Sequence, residues 1–250
     1  MTTSDLIGVT AVVTGASRGF GRSIAIRLAR AGADVVGVAR DRAALLDLHE
    51  HLGASFTPVA GNVTDPDLAA QLISRHRPQV LVLNAGATPI AARVQDQSWA
   101  SFSDNWNTDV RQSFEFTRAA LGLPLDAGSL VINMSSGAAL AGSPLSGGYA
   151  GAKAMVRFIS SYAAAESGRL GLGIRFVSVL PKLTPATALG AAFVDGYAAY
   201  SGTDRATYLT QLGATLTADQ VGLAVTEIAT DASKTAASYM LTAAGLQELS

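Results

Sequence analysis

Short apolar runs rich in β-branched residues recur along the chain at residues 9–13, 35–38, 55–59, 80–83, 130–134, 174–179 and, most weakly, 238–241. Runs this short and this uniformly apolar suit strands buried on both faces, the signature of a parallel sheet. Between them the pattern turns helical. Residues 22–31 set Ile24, Ile26 and Leu28 among Arg22, Arg27 and Arg30, and Asp65-Pro66 supplies an N-cap followed by proline at the first helical position. Residues 99–121 and 149–166 are long enough for two full-length helices covering the sheet. Strand alternating with helix builds βαβ units. The expected architecture is α/β, a doubly wound parallel sheet of about seven strands with helices on both faces.

Residues 181–208 break this rhythm, being rich in Ala, Thr, Gly and Tyr without a clear period. A loop or a pair of short helices is expected there, an insertion at about 182–210 acting as a substrate lid. There is no internal repeat, low-complexity segment or linker, so residues 1–250 read as a single domain. Only 15% of residues are charged and the formal net charge is −1, which excludes a disordered chain and gives no footing for a nucleic-acid partner. Cysteine is absent, so disulfides, thiolate metal sites and cysteine nucleophiles are excluded. The first ten residues lack the basic and apolar regions of a signal peptide, and no apolar run is long enough for a membrane span. A cytoplasmic protein is expected.

The densest local signal is TGASRGFG, Thr14 to Gly21, wedged between the first apolar run and the first helical pattern. A strand entering a glycine-rich turn and then a helix suits a diphosphate, since the turn lets backbone come close and the helix start offers unpaired N–H groups. The spacing TGxxxGxG resembles that of the short-chain dehydrogenase/reductase superfamily. Further matches follow in order: Asn84-Ala85-Gly86 after the fourth run, Asn107 in the long helical stretch, Ser135-Ser136 after the fifth run, the pair Tyr149 and Lys153, and Pro181 after the sixth. The resemblance covers residues 8–230 and implies a Rossmann-type fold, a nicotinamide cofactor and carbonyl–alcohol chemistry.

Moving a hydride to a carbonyl leaves charge on oxygen that must meet a proton. A lysine at i+4 shares a helix face with a tyrosine, and its charge favours the phenolate, making the tyrosine a usable acid. Tyr149 and Lys153 have that spacing, although such pairs are common on helices. The resemblance further implies that Lys153 holds the nicotinamide ribose and that Ser136, thirteen positions before Tyr149, polarises the substrate oxygen in preference to Ser135. It also implies that Asn107 holds a water linking Lys153 to solvent. By the same resemblance Gly15, Ser17, Arg18, Gly19, Phe20 and Gly21 surround the diphosphate, and Asn62-Val63 meets the adenine. Asn84, Ala85 and Gly86 support the centre of the site, and Pro181 with Thr184 or Thr187 holds the carboxamide. His49, His51 and His76 have no ligating neighbours in sequence and read as surface residues.

Ala39 stands where an NAD-preferring chain presents an acid at the end of the second strand, and Arg40 follows it. With Arg18 it offers two forked donors for a 2′-phosphate, so NADP(H) is expected over NAD(H). Three positions depart from the family pattern: Leu83 replaces an asparagine, Lys182 replaces the glycine after Pro181, and the C-terminus lacks a Gly-Gly pair. A lysine resists positive φ. The leading expectation is an NADP(H)-dependent ketone/secondary-alcohol oxidoreductase, a homodimer or homotetramer, acting on a small substrate bound by residues 137–148 and 183–208. A silent NADPH-binding sensor or scaffold of the same fold is the alternative.

Overall fold

A computed structural model describes residues 5–249. Each apolar run becomes a strand and each helical pattern its crossover. The chain runs β1 (Thr10–Thr14), α1 (Gly19–Arg30), β2 (Asp34–Ala39), α2 (Arg42–Leu52), β3 (Phe56–Ala60), α3 (Pro66–His76) and β4 (Val80–Leu83). It continues through α4 (Trp99–Asn105), a π-helical turn (Trp106–Val110), α5 (Arg111–Gly122), β5 (Leu130–Met134), a short α6 (Ala138–Ala141), α7 (Gly147–Arg169) and β6 (Arg175–Pro181). Helices α8 (Ala188–Tyr200), α9 (Arg205–Leu212) and α10 (Ala218–Thr230) precede the strands β7 (Ser238–Thr242) and β8 (Gly245–Leu249).

The sheet order is β3-β2-β1-β4-β5-β6-β7-β8. Seven strands are parallel, as expected, and the eighth was not foreseen: β8 returns antiparallel along β7, with Ser238 opposite Leu249 and Thr242 opposite Gly245. Side chains alternate between two cores with the period of two that a pleat imposes. Ala11 and Val13 of β1 and Val80 and Val82 of β4 face one core, with Ile24 and Leu28 of α1, Leu45 of α2 and Val221 of α10. Val12, Leu81 and Leu83 face the other, with Leu72 of α3, Phe116 of α5 and Ala163 of α7. Burial on both sides explains why these strands read as unbroken apolar runs. The replacement residue Leu83 is 2% exposed and is one of these core side chains.

The sheet order reverses between β1 and β4, whose following helices lie on opposite faces, and this divergence opens a crevice at the strands' carboxyl ends. Residues 181–208 run from the end of β6 through a loop and α8 to the start of α9, and the loop and α8 line one side of that crevice. Phe193 and Val194 of α8 are buried. Among the described residues no helix is long and apolar enough to cross a membrane.

Candidate active site

A cleft of about 1250 Å³ runs along the carboxyl edge of the sheet. The glycine turn forms one end of it. Gly15 and Gly19 have φ of +68° and +55°, a backbone region that favours glycine. A side chain on Gly15 would lie 2.8 Å from Asn84 Nδ2 and 2.9 Å from Ala85 Cα, and one on Gly21 would strike the Gly15 carbonyl. The three glycines therefore let the turn, the first turn of α1 and the segment after β4 share one small volume.

Thr14 joins these parts. Its side chain is completely buried, with Oγ1 donating to Val82 O (3.2 Å) and accepting from Asn84 N (2.9 Å) and Ala85 N (3.2 Å). Asn84 Nδ2 donates to Thr14 O in return (3.1 Å). One hydroxyl thus closes the β1–β4 junction on which the crevice depends.

Tyr149 and Lys153 lie one turn apart on α7, and both line the cleft with Ser136. The lysine is buried at 7% exposure and tied twice to the end of β5: Nζ donates to Met134 O (3.0 Å), and Lys153 O accepts from Ser135 Oγ (2.8 Å). Ser135 is thereby engaged in structure, while Ser136 is half-buried with its oxygen accepting from Ala138 N. The Lys153 ammonium lies 5.7 Å from the Tyr149 ring centroid.

Asn107 is not the side chain that meets Lys153. It lines the cleft but is exposed, and its amide donates to Ser103 Oγ at 3.4 Å. The group beside Lys153 is Asp109, 2% exposed, with Oδ2 2.9 Å from Nζ. Asp109 Oδ1 accepts from Ala87 N (2.9 Å) and from Asn105 Nδ2 (3.3 Å). Burial by itself lowers the Lys153 pKa, but the Asp109 carboxylate, with a smaller contribution from Tyr149, outweighs it and holds the ammonium above the ordinary lysine value. The signal was in the sequence: stepping back by helical turns from the core residues Phe116 and Ala120 reaches Gln112, Asp109 and Asn105, one polar stripe on the buried face. That stripe holds the segment after β4, since Gln112 Nε2 donates to Ala85 O and Asn105 Nδ2 to Ala87 O, both at 2.9 Å.

The far end of the cleft is lined by Ser17, Arg18, Phe20, Arg40, Asn62 and Val63. Arg18 and Arg40 are exposed, and their side chains make no ion pair or hydrogen bond among the described residues. Asp41 lines the same region, but its carboxylate caps α2 by accepting from Ala44 N at 3.0 Å. Asn62 Oδ1 accepts from Thr64 N and Thr64 Oγ1. The glycine cradle fits a phosphate-bearing dinucleotide, and the Arg18 and Arg40 side chains line the same end of the cleft.

Thr184, expected at the carboxamide, has its hydroxyl engaged within the protein. Its one hydroxyl proton goes to Leu216 O, and its oxygen accepts from Ala186 N. Thr187 caps α8 as an acceptor from Gly190 N, its methyl lies over Gly19, and its hydroxyl proton has no acceptor among the described residues. Thr187 is the free donor of the two. Lys182 adopts no positive φ, and its N–H simply extends the sheet to Leu241 O at 2.9 Å, so the anticipated strain is absent. Pro181 ends β6 at the cleft. His49 Nδ1 lies 2.7 Å from Phe56 O, and among the described residues no cluster of His, Asp or Glu could hold a metal.

A family profile described as short chain dehydrogenase matches residues 9–198. Over 173 residues, 68% of this chain and 68% of the relative, the sequence is 36% identical to an uncharacterized short-chain type dehydrogenase/reductase of Sinorhizobium fredii. It is 33% identical over 185 residues to a 3-oxoacyl-(acyl-carrier-protein) reductase of Pseudomonas aeruginosa, covering 70% of this chain and 74% of that one. The fold superposes with a TM-score of 0.75 on a 3-ketoacyl-(acyl-carrier-protein) reductase from Brucella melitensis complexed with NADH, at 22% identity over 92% of this chain and 93% of the other. A metagenomic short-chain oxidoreductase in complex with NADP gives 0.72, also at 22% identity, over 94% and 97%. At that identity the two structures speak to the fold alone.

Replacing Thr14 with valine leaves the N–H groups of Asn84 and Ala85 without their buried acceptor. The expected cost is about 1–3 kcal/mol, read as a lower denaturant midpoint at unchanged slope.

Proposed function

The chain belongs to the short-chain dehydrogenase/reductase family of oxidoreductases, and from that premise we propose that it is an NADP(H)-dependent enzyme interconverting a ketone and a secondary alcohol. The observation that carries the proposal is Tyr149 and Lys153 on one turn of α7, lining with Ser136 the same cleft as the glycine turn.

Bound along the cleft, the nicotinamide would supply or accept the hydride. Gly15, Gly19 and the start of α1 hold the diphosphate, Arg18 and Arg40 the 2′-phosphate, Asn62 and Val63 the adenine, and Lys153 the nicotinamide ribose. Ser136 donates to the substrate oxygen. Tyr149 gives that oxygen its proton as negative charge develops, and recovers the proton when an alcohol is oxidised.

The substrate end is largely apolar. The Tyr149 ring stacks near Phe193 (centroids 6.3 Å apart), Phe193 lies 5.8 Å from Tyr197, and the Tyr197 hydroxyl bonds Ser143 Oγ, linking α8 to the loop before α7. Lys182 lines the cleft, is exposed and makes no ion pair among the described residues. We therefore favour an apolar ketone, and a carboxylate-bearing ketone if Lys182 takes part. A 3-oxoacyl thioester joins the panel because of the curated relatives. A homodimer through α5 and α7 is proposed because both helices leave aromatic side chains outside: Phe114, Phe158 and Tyr162 are each more than half exposed beside an apolar groove of about 400 Å³.

Following NADPH absorbance with a panel of ketones tests the reaction. Tyr149→Phe is expected to abolish turnover while leaving NADPH affinity within a few-fold, and a variant at near wild-type rate would remove Tyr149 as the proton donor. Tight NADPH binding without consumption of any carbonyl would favour the silent sensor. Arg40→Ala should weaken NADPH about tenfold or more, the scale of one charge-assisted contact, with little effect on NADH; equal losses would refute the 2′-phosphate role. Light scattering should return twice the chain mass, and Tyr162→Glu a monomer.

A further inference from the structure

We propose that Asp109 is the counter-ion that sets the charge of the proton-transfer cluster, holding the proton on the Tyr149–Lys153 pair and so favouring reduction over oxidation near neutral pH. The proposal rests on reading the cleft as a hydride-transfer site. It begins with the ammonium's three N–H donors. One goes to Met134 O at 3.0 Å, and Asp109 Oδ2 stands 2.9 Å away as the ion-pair partner. With the phenol protonated, Lys153 and Asp109 cancel and the cluster is neutral. An uncharged residue in place of Asp109 would leave it at +1, and a buried positive charge releases its proton more readily.

The carboxylate is held where it acts. Its other oxygen is fixed by Ala87 N and Asn105, and a side chain on Gly86 would lie 2.7 Å from Oδ2, so the segment after β4 is shaped around it. The π-helical turn carries Asp109 to this face.

The neighbouring charges are exposed or engaged elsewhere: Arg157, one turn on from Lys153 in α7, is half-buried and donates to Ser238 Oγ at 3.3 Å. On the helical stretch of Asp109 itself, Asp104 and Arg111 are exposed, and Glu115 is paired with Arg118. Across the cleft stand the exposed Lys182 and the Tyr197 hydroxyl, which bonds Ser143, while Asp195 of α8 is paired with Arg205. The segment after β4 that touches the pair, residues 84–88, carries no titratable group, nor does β5. Because Lys153 stays charged to above the ordinary lysine range, proton loss from the coupled pair is what the assay reads.

The experiment measures kcat against pH for alcohol oxidation by NADP⁺ and for ketone reduction by NADPH. In Asp109→Asn the midpoint of the oxidation profile is expected to fall by about one pH unit or more, and the ratio of oxidation to reduction kcat at neutral pH to rise about tenfold. Asp104→Asn, on the exposed side, should leave the midpoint in place. An unmoved or raised midpoint in Asp109→Asn overturns the proposal. If that variant does not fold, Asp109→Ser carries the same expectation. A readout without turnover separates this idea from the proposed function: the tyrosinate absorbance assigned to Tyr149 by its loss in Tyr149→Phe should emerge at lower pH in Asp109→Asn than in wild type. Should wild type reduce nothing, the functional reading fails, and the titration still decides the role of Asp109.

Discussion

A charged amine held inside the protein is the constraint around which this molecule is arranged. Lys153 is almost fully buried, and a buried ammonium persists only with partners that replace water. Its partners come from two distant parts of the chain, the carbonyl ending β5 and the carboxylate at the π-helical turn. Losing one partner of such a pair typically costs about 3–5 kcal/mol. Sheet, turn and α7 must therefore be assembled together, and that assembly sets Lys153 and the Tyr149 ring along one cleft.

The opposite wall obeys a similar economy of space. Thr14, Asn84 and the glycines allow three backbone segments to meet at the point where the strand order reverses. The polar stripe Asn105, Asp109 and Gln112 then grips the same segment from the helical side. Residues 84–87 are thus clamped between the glycine turn and the amine's counter-ion. The two ends of the cleft are joined mechanically through this short segment.

Much of this was legible in the sequence. Strands buried on both faces show as apolar runs, the glycine turn and the Tyr–Lys pair show in their spacing, and Ser136 is what the family resemblance implies. Three features were hidden for physical reasons. The residues of β8, GLQEL, carry no β-branched side chain, because an edge strand with one solvated side has no need of them. Asp109 was passed over because Asn107 was placed by its distance along the chain, whereas the inward face of a helix with a π-helical turn follows the core residues Phe116 and Ala120. The engaged hydroxyl of Thr184 depends on the carbonyl of Leu216, thirty-two residues away, which no local pattern reveals.

The two margins of the sheet tell what kind of assembly the fold permits. On one side β3 carries Pro58, which has no N–H to offer a neighbouring strand; on the other, β8 turns Gln247 and Glu248 to solvent. Neither border invites a foreign strand to continue the ladder. Growth by edge-on stacking is discouraged at both limits, so any contact between copies has to be made away from the sheet's borders.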